Sequence, residues 1–323
     1  MAKKEYTILE YYQDKRKDWY KQDCVDMDSA KQQHHDNITA IRAAEEWRKQ
    51  KDRPLSIAIF HGSGRHVEFS CALEMSNSQM FLERGLELAK KEWEKDLDVT
   101  TFVLREMMLE PCNACYSTAS ALCNFSCSCF PGDDISTKIY PAVIKADVLL
   151  WSTPVNQSMV SSRTKLVLDR LISVDGGYFM EELPIKDSAF REKMIHMSHV
   201  NPVYDARMFG KVAAYFVTSK DIDNTHEESA PYPKEFSRLT YLDYTIGAIS
   251  HQGTEYGWFH ADPFYALSGA HPDVEMSYDK SHYDKDTASH ERAKDAILAS
   301  LKMAEGFREN PPEMKHAGRI NRT

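Results

Sequence analysis

The sequence predicts an α/β fold: a doubly wound, five-stranded parallel sheet with helices on both faces. Three observations carry this. Short continuous apolar runs recur at 56–60, 99–104, 147–151 and 212–217, and strands buried on both faces read this way. Amphipathic, helix-length segments separate the runs, which is the pattern of βαβ units. Polar loops follow the first and third runs, at the edge where open parallel sheets take ligands.

The elements follow in order. Residues 1–54 are charged and helix-prone and read as an N-terminal helical arm ending before Pro54. Within it Ile38, Ile41 and Ala44 fall near one face, and His34 and His35 are expected on a solvated one. The arm either packs on the domain that follows or clasps a second copy. Ser56-Ile57-Ala58-Ile59-Phe60 is the first strand, and a loop over 61–76 follows. Leu82, Leu86, Ala89 and Trp93 step by 4, 3 and 4 residues and predict a helix over 77–95. The second strand is 99–104, and a cysteine-rich segment fills 110–131.

Asp133 and Asp134 are N-cap residues for a helix to about 145, with Ile135, Ile139 and Val143 inward. Pro141 should kink or shorten it. The third strand is 147–151. Ser161 or Ser162 caps a helix ending near Leu171, and 212–217 is the fourth strand. A helix at 234–246, a fifth strand near 246–251 and a last helix at 287–306 complete the pattern. That last helix carries Ala293, Ile297, Leu301 and Ala304 on one face. One sheet of about five parallel strands is the flavodoxin-like architecture. The stretches 175–210 and 252–286 interrupt the repeat and read as insertions, so the arm 1–54 precedes a single domain over 55–323.

Composition narrows the partners. A net charge of −9 offers no basic stripe to offset phosphate repulsion, which argues against nucleic acid. No run of 18 apolar residues exists, so no membrane span is expected. The start, Met-Ala-Lys-Lys-Glu-Tyr, lacks the apolar core of a signal peptide. A cytoplasmic protein is expected, where clustered cysteines are more often metal-binding or catalytic than disulfide-bonded.

Five of the seven cysteines, Cys112, Cys115, Cys123, Cys127 and Cys129, fall within eighteen residues. Packing alone would not cluster them. Thiolate chemistry would, as an iron–sulfur cluster, a four-thiolate zinc site, or redox-active or unligated thiols. The loop His61-Gly62-Ser63-Gly64-Arg65 leads towards a helix start at Ser76-Asn77-Ser78. A helix N-terminus with small hydroxyl and amide side chains suits a phosphate, although a plain turn reads the same way. Neither the dinucleotide fingerprint nor a Walker A loop is present. After the third strand, Ser152-Thr153-Pro154-Val155-Asn156-Gln157 offers polar groups beside a stiff turn, a place for a flat heterocycle. Tyr256, Trp258, Phe259 and His260, set among glycines, could cap such a ring or plug the sheet. His196 and His199 read as surface or packing residues.

Together these segments resemble a known family. Gly-Ser-x-Arg after the first strand and Pro-Cys-x-x-Cys after the second carry the likeness. So do Asp-Asp-Ile before a helix and Ala-Asp-Val-Leu-Leu-Trp-Ser-Thr-Pro-Val running on to Ser-x-x-x-Lys-x-x-x-Asp-Arg. The chain looks like the NAD(P)H-dependent FMN reductase family over roughly 55–250, closest to its iron–sulfur flavoprotein branch. The resemblance implies FMN, with its phosphate on Ser63, Arg65, Ser76, Asn77 and Ser78 and its ring edge on Thr153, Pro154, Val155, Asn156 and Gln157. Thr218 and Ser219, in a turn without the family's usual glycines, would face the ring's other side.

The resemblance further implies NAD(P)H as co-substrate and, on the five cysteines, an iron–sulfur cluster, although their spacing departs from the branch's compact run. Electrons would pass to a quinone, a nitro or azo compound, free flavin or a redox protein. A homodimer or homotetramer is expected. Rival readings are a flavin and iron–sulfur electron carrier, and a thiol or metal sensor on the same scaffold.

Overall fold

The computed structural model describes residues 27–65, 76–114, 123, 125–127, 129–156, 159–176, 207–219, 242–269 and 286–313. Helix α1, Met27–Arg48, precedes strand β1, Leu55–His61. Helix α2, Asn77–Glu92, and strand β2, Leu97–Val103, follow. After the cysteine segment come a π-helical turn, Ile135–Ile139, and helix α3, Tyr140–Lys145. Strand β3, Val148–Asn156, runs into the short strand β4, Met159–Val160. Next are α4, Ser162–Arg170, α5, Ile172–Gly176, and β5, Val212–Ser219. Helix α6, Leu242–Glu255, strand β6, Tyr265–Gly269, and helix α7, Thr287–Glu309, complete the described chain.

Five strands pair in the order β2-β1-β3-β5-β6, all parallel; β4 folds back antiparallel on the end of β3. This is the doubly wound, flavodoxin-like sheet. Residues of β1 alternate between two cores, as strand geometry requires. Ala58 and Phe60 join Trp151, Tyr215 and the residues of α1, α3 and α4 on one face. Ile57 and Ile59 meet α2 and α7 on the other. On that second face α2 and α7 approach closely at Gly85, where a Cβ would stand 2.6 Å from that of Ala293.

The fifth strand is not where the local pattern put it. Residues 246–251 lie inside α6, and the edge strand is Tyr265–Gly269, within the stretch 252–286. Ile246 and Ile249, both buried, are three residues apart and share a helical face. The arm also differs from expectation at His34. That residue is buried rather than solvated, and its Nε2 meets the carbonyl oxygens of Phe125 at 3.2 Å and Ser126 at 2.5 Å. Helix α1 thus packs on its own chain, burying Ile38, Ile41 and Ala44.

Pro141 acts as its chemistry dictates. It has no N–H for an i→i−4 bond, and its ring crowds the preceding turn. The chain widens there into the π turn, Tyr140 N–H reaching Ile135 O, before α3 begins. At the amino edge of the sheet, Asp147 takes a two-pronged pair from Arg53 at 2.5 and 2.7 Å and the Ser56 N–H at 3.0 Å. Among the described residues no helix is long and apolar enough to cross a membrane.

Candidate functional site

At the carboxyl edge, the loops after β1 and β3 are stitched to each other. Gly62 N–H donates to Ser152 O at 2.8 Å. Ser161 caps α4 by accepting from Thr164 N, and its hydroxyl donates to Gly62 O at 2.5 Å. Ser161 N–H in turn donates to Thr153 Oγ1 at 3.0 Å. Only glycine fits at 62, since a Cβ would lie 1.8 Å from Thr164 Oγ1.

Three of the predicted phosphate ligands, Ser63, Ser76 and Ser78, are buried at this edge. Ser63 Oγ accepts from Arg65 N at 3.2 Å and so shapes its own turn. Ser76 caps α2, and its side chain accepts from Gln79 N. Asn77 and Ser78 form the first helical turn, where the backbone N–H groups point outward and the dipole end is positive. Ser78 Oγ is buried there without a hydrogen-bond partner among the described residues. A buried hydroxyl is costly to leave unpaired, so the arrangement suits an anion that accepts from it.

The residues after β3 divide into two roles. Thr153 is fully buried and its hydroxyl serves the Ser161 backbone, while Pro154 and Val155 are half-buried and Asn156 is exposed. Thr218 is buried at the end of β5, in register with Pro154. Ser219 pairs with Gly269; nothing is described of its side chain, and Gln157, His196 and His199 lie outside the described residues.

His61, the last residue of β1, escaped the sequence reading as more than a loop residue. It is fully buried, with Nδ1 2.8 Å from Ser152 Oγ and Nε2 3.6 Å from Glu83 Oε1 on α2. Nε2 has no hydrogen-bond partner among the described residues. Burial, with the Arg105 guanidinium nearby, pulls its pKa down to about 4, so the ring is neutral. Arg105 donates to Gln79 Oε1 at 2.9 Å and ties the end of β2 to the start of α2. A histidine ending an apolar strand was the available signal.

The cysteine segment is held between α1 and α4. Arg170, the last residue of α4, is 1% exposed and pairs with Asp133 at 2.9 and 3.3 Å. It also donates to Ser136 Oγ and Glu110 O and lies over the Phe130 ring. Asn37 on α1 donates to Pro131 O at 2.7 Å. Cys112, Cys123 and Cys127 are half-buried and Cys129 is buried; Cys115 lies outside the described residues. The neighbouring Cys129, with help from Arg170, pulls the Cys127 pKa down to about 6 against the opposing effects of burial and Asp133. Among the described residues no three histidine, cysteine, aspartate or glutamate side chains stand together as a metal would need.

The aromatic residues near 258 plug the sheet. Trp258 is 3% exposed and stacks on Trp151 of β3, ring centres 6.0 Å apart. Tyr256 donates to Leu168 O at 2.6 Å.

Comparison with known proteins follows the same lines. The solved structure of RosB, with the bound intermediate 8-demethyl-8-formylriboflavin-5′-phosphate, has a TM-score of 0.51 at 14% identity, over 80% of this chain and 82% of that one. An FMN-dependent NADH-azoreductase from Bacillus anthracis in complex with FMN gives 0.41 at 10%, over 78% and 100%. The Trp repressor binding protein from Bacillus subtilis gives 0.38 at 14%, over 75% and 97%. At these identities the likeness to RosB shows the fold. No curated protein matches by sequence. The family model for NADPH-dependent FMN reductase matches residues 55–220, just over half of the chain. The chain therefore belongs to the NADPH-dependent FMN reductase family and is an NAD(P)H-dependent FMN oxidoreductase.

Proposed function

We propose that FMN binds at the carboxyl edge of the sheet and that the chain passes electrons from NAD(P)H to a small aromatic acceptor, a quinone, a nitro or azo compound or free flavin. The observation that carries the site is Ser78 Oγ, buried and unpartnered in the first turn of α2. Ser63, Ser76, Asn77 and the Arg65 guanidinium complete a cradle for a dianionic phosphate. Gly64, with none of the described residues within 4 Å of where a Cβ would be, leaves that side of the backbone open to the ligand.

When bound, FMN accepts hydride from a reduced nicotinamide and releases electrons singly or in pairs. The protein's part is position. Pro154 and Val155 offer a stiff apolar edge to the ring, with Asn156, Gln157, Thr218 and Ser219 as its polar neighbours. Thr153 holds that turn through Ser161.

The test is the visible spectrum of the purified protein and anaerobic oxidation of NADPH and NADH. Two oxidised-flavin bands bleached by either nucleotide are expected; a colourless protein that oxidises neither would overturn the reading. A homodimer or homotetramer belongs to the same proposal, supported by exposed Met159 beside the loops; a single-chain mass in light scattering would remove it.

A further inference from the structure

We propose that His61 belongs to the phosphate subsite as its proton acceptor: when FMN binds, His61 takes the phosphate's proton, so that a dianionic phosphate and a protonated histidine are held together. This rests on the flavin site proposed above and adds a residue that the loops do not supply. The imidazole is placed for the role. It is fully buried at the end of β1, directly before the turn that carries Ser63 and Arg65. Nδ1 lies 2.8 Å from Ser152 Oγ, and Nε2 has no hydrogen-bond partner among the described residues. Glu83 Oε1 stands 3.6 Å from Nε2, too far for a hydrogen bond and close enough to pair with a charged ring.

The ring is a base with one nitrogen unused. The neutral tautomer that donates from Nδ1 to Ser152 Oγ leaves the Nε2 lone pair facing Glu83. Glu83 is itself held in place. Gln79 Nε2 donates to the same carboxylate oxygen at 3.0 Å, and Arg105 donates to Gln79 Oε1 at 2.9 Å. Glu83 on α2 and Arg105 just after β2 are the ionisable groups that face the ring. Arg105 also pairs with Glu106 at 3.1 Å. In the FMN-free fold, burial and the Arg105 charge keep the ring neutral, with a pKa of about 4.

A phosphate at the start of α2 changes that balance. Glu83 is five residues beyond Ser78 on the same helix, roughly 7.5 Å along its axis. Two negative charges at about that range raise a base's pKa by about two units in a partly buried site. That brings His61 level with the second ionisation of a phosphate monoester, about 6. At pH 5 a free phosphate monoester carries one proton more than the dianion, and His61 Nε2 takes that proton. One phosphate O–H bond is lost and one N–H bond is gained. The new cation pairs with Glu83, and no net proton passes to solvent.

The experiment follows the recovery of flavin fluorescence as the full-length, FMN-loaded protein is diluted at pH 7 and at pH 5. The wild-type Kd should change by less than about two-fold, because the protein keeps the proton that the ligand gives up. His61→Gln has no such base. Its FMN affinity should fall about ten-fold from pH 7 to pH 5, following the dianion fraction of a group with a pKa of about 6. A second measurement needs no variant. Calorimetric titration of FMN into the FMN-free chain at pH 5, in two buffers of different ionisation enthalpy, counts protons, and net release should be near zero. A ten-fold loss of affinity in the wild type, release of about one proton per FMN, or a His61→Gln variant as flat with pH as the wild type would each overturn the proposal. FMN that fails to bind even at pH 7 would bring down the flavin site as well, a different result read in the same titration.

Discussion

The Ser161 hydroxyl donates to the Gly62 carbonyl at 2.5 Å across 99 residues of chain, and this bond joins the two loops of the proposed flavin edge. The joint leaves no room for a side chain at 62. Gly62→Ala would drive a methyl group into Thr164 Oγ1. We expect a loss of about 1–3 kcal/mol in urea unfolding, typical of overpacking, and a lower bound-FMN content. Adding Thr164→Ala removes the obstructing oxygen and should restore part of both. Equal stability of Gly62→Ala and wild type would show that the loops are not locked together.

Ser78 separates binding from folding. Its hydroxyl has no partner among the described residues, so Ser78→Ala, which removes only that oxygen, should leave unfolding of the FMN-free protein nearly unchanged. A hydrogen bond to a charged phosphate contributes about 1.5–3 kcal/mol, so FMN affinity should fall roughly ten-fold or more. Titration by flavin fluorescence measures this. Undiminished affinity in the alanine variant would move the phosphate elsewhere.

His61 should make stability depend on pH. Its pKa is about 4 in the fold against about 6.5 in the unfolded chain. Between those values the unfolded chain binds a proton that the native state refuses. This contribution is therefore complete above pH 6.5 and is lost as the pH falls towards 4. At pH 5 the loss is about 2 kcal/mol. Glu83 and Arg105 are the ionisable groups facing the ring. Urea unfolding at pH 7 and pH 5 reads the slope, and His61→Gln should flatten it. An unchanged slope in that variant would assign the dependence to other groups.

How much was legible in the sequence follows from which forces are local. Strands β1, β3 and β5 are buried on both faces and announce themselves as apolar runs; Ser161 announces a helix start by its cap chemistry. Strand β6 does not. It is five residues long at the sheet's edge, with Tyr265 exposed and Ala266 buried, too little to set a pattern. Its place is set by pairing with β5. The stretch 246–251 is too short to show its period by itself, although the spacing of Ile246 and Ile249 fits the helix that contains them. The site divides in the same way. The serines at the start of α2 were readable from position, whereas the burial of His34 and the pairing of Arg170 with Asp133 depend on contacts far apart in sequence. Five neighbouring cysteines suggested a metal because sequence gives proximity along the chain and not the direction of a side chain.

The strongest stability prediction lies at the opposite edge of the sheet. Asp147 is 5% exposed and pairs with Arg53, while Arg308 near the end of α7 donates to Arg53 O at 2.7 Å and Pro54 O at 2.6 Å. One carboxylate thus holds the start of β1, the start of β3 and the last helix together. Asp147→Ala would leave the Arg53 guanidinium buried and unpaired, at a cost of about 3–5 kcal/mol. Burial pushes the Asp147 carboxyl up, but the Arg53 hydrogen bonds, the Ser56 N–H and the nearby positive charges outweigh it and hold its pKa below the usual range. Its contribution is therefore present above an ordinary carboxylate pKa and fades as the pH drops below it. Asp147→Asn should lose that acid limb while keeping the shape of the site. Because the proposed flavin loops lie at the carboxyl edge, both variants should keep full FMN stoichiometry wherever they remain folded. A change below 1 kcal/mol in Asp147→Ala would show that the three elements are held by apolar packing alone.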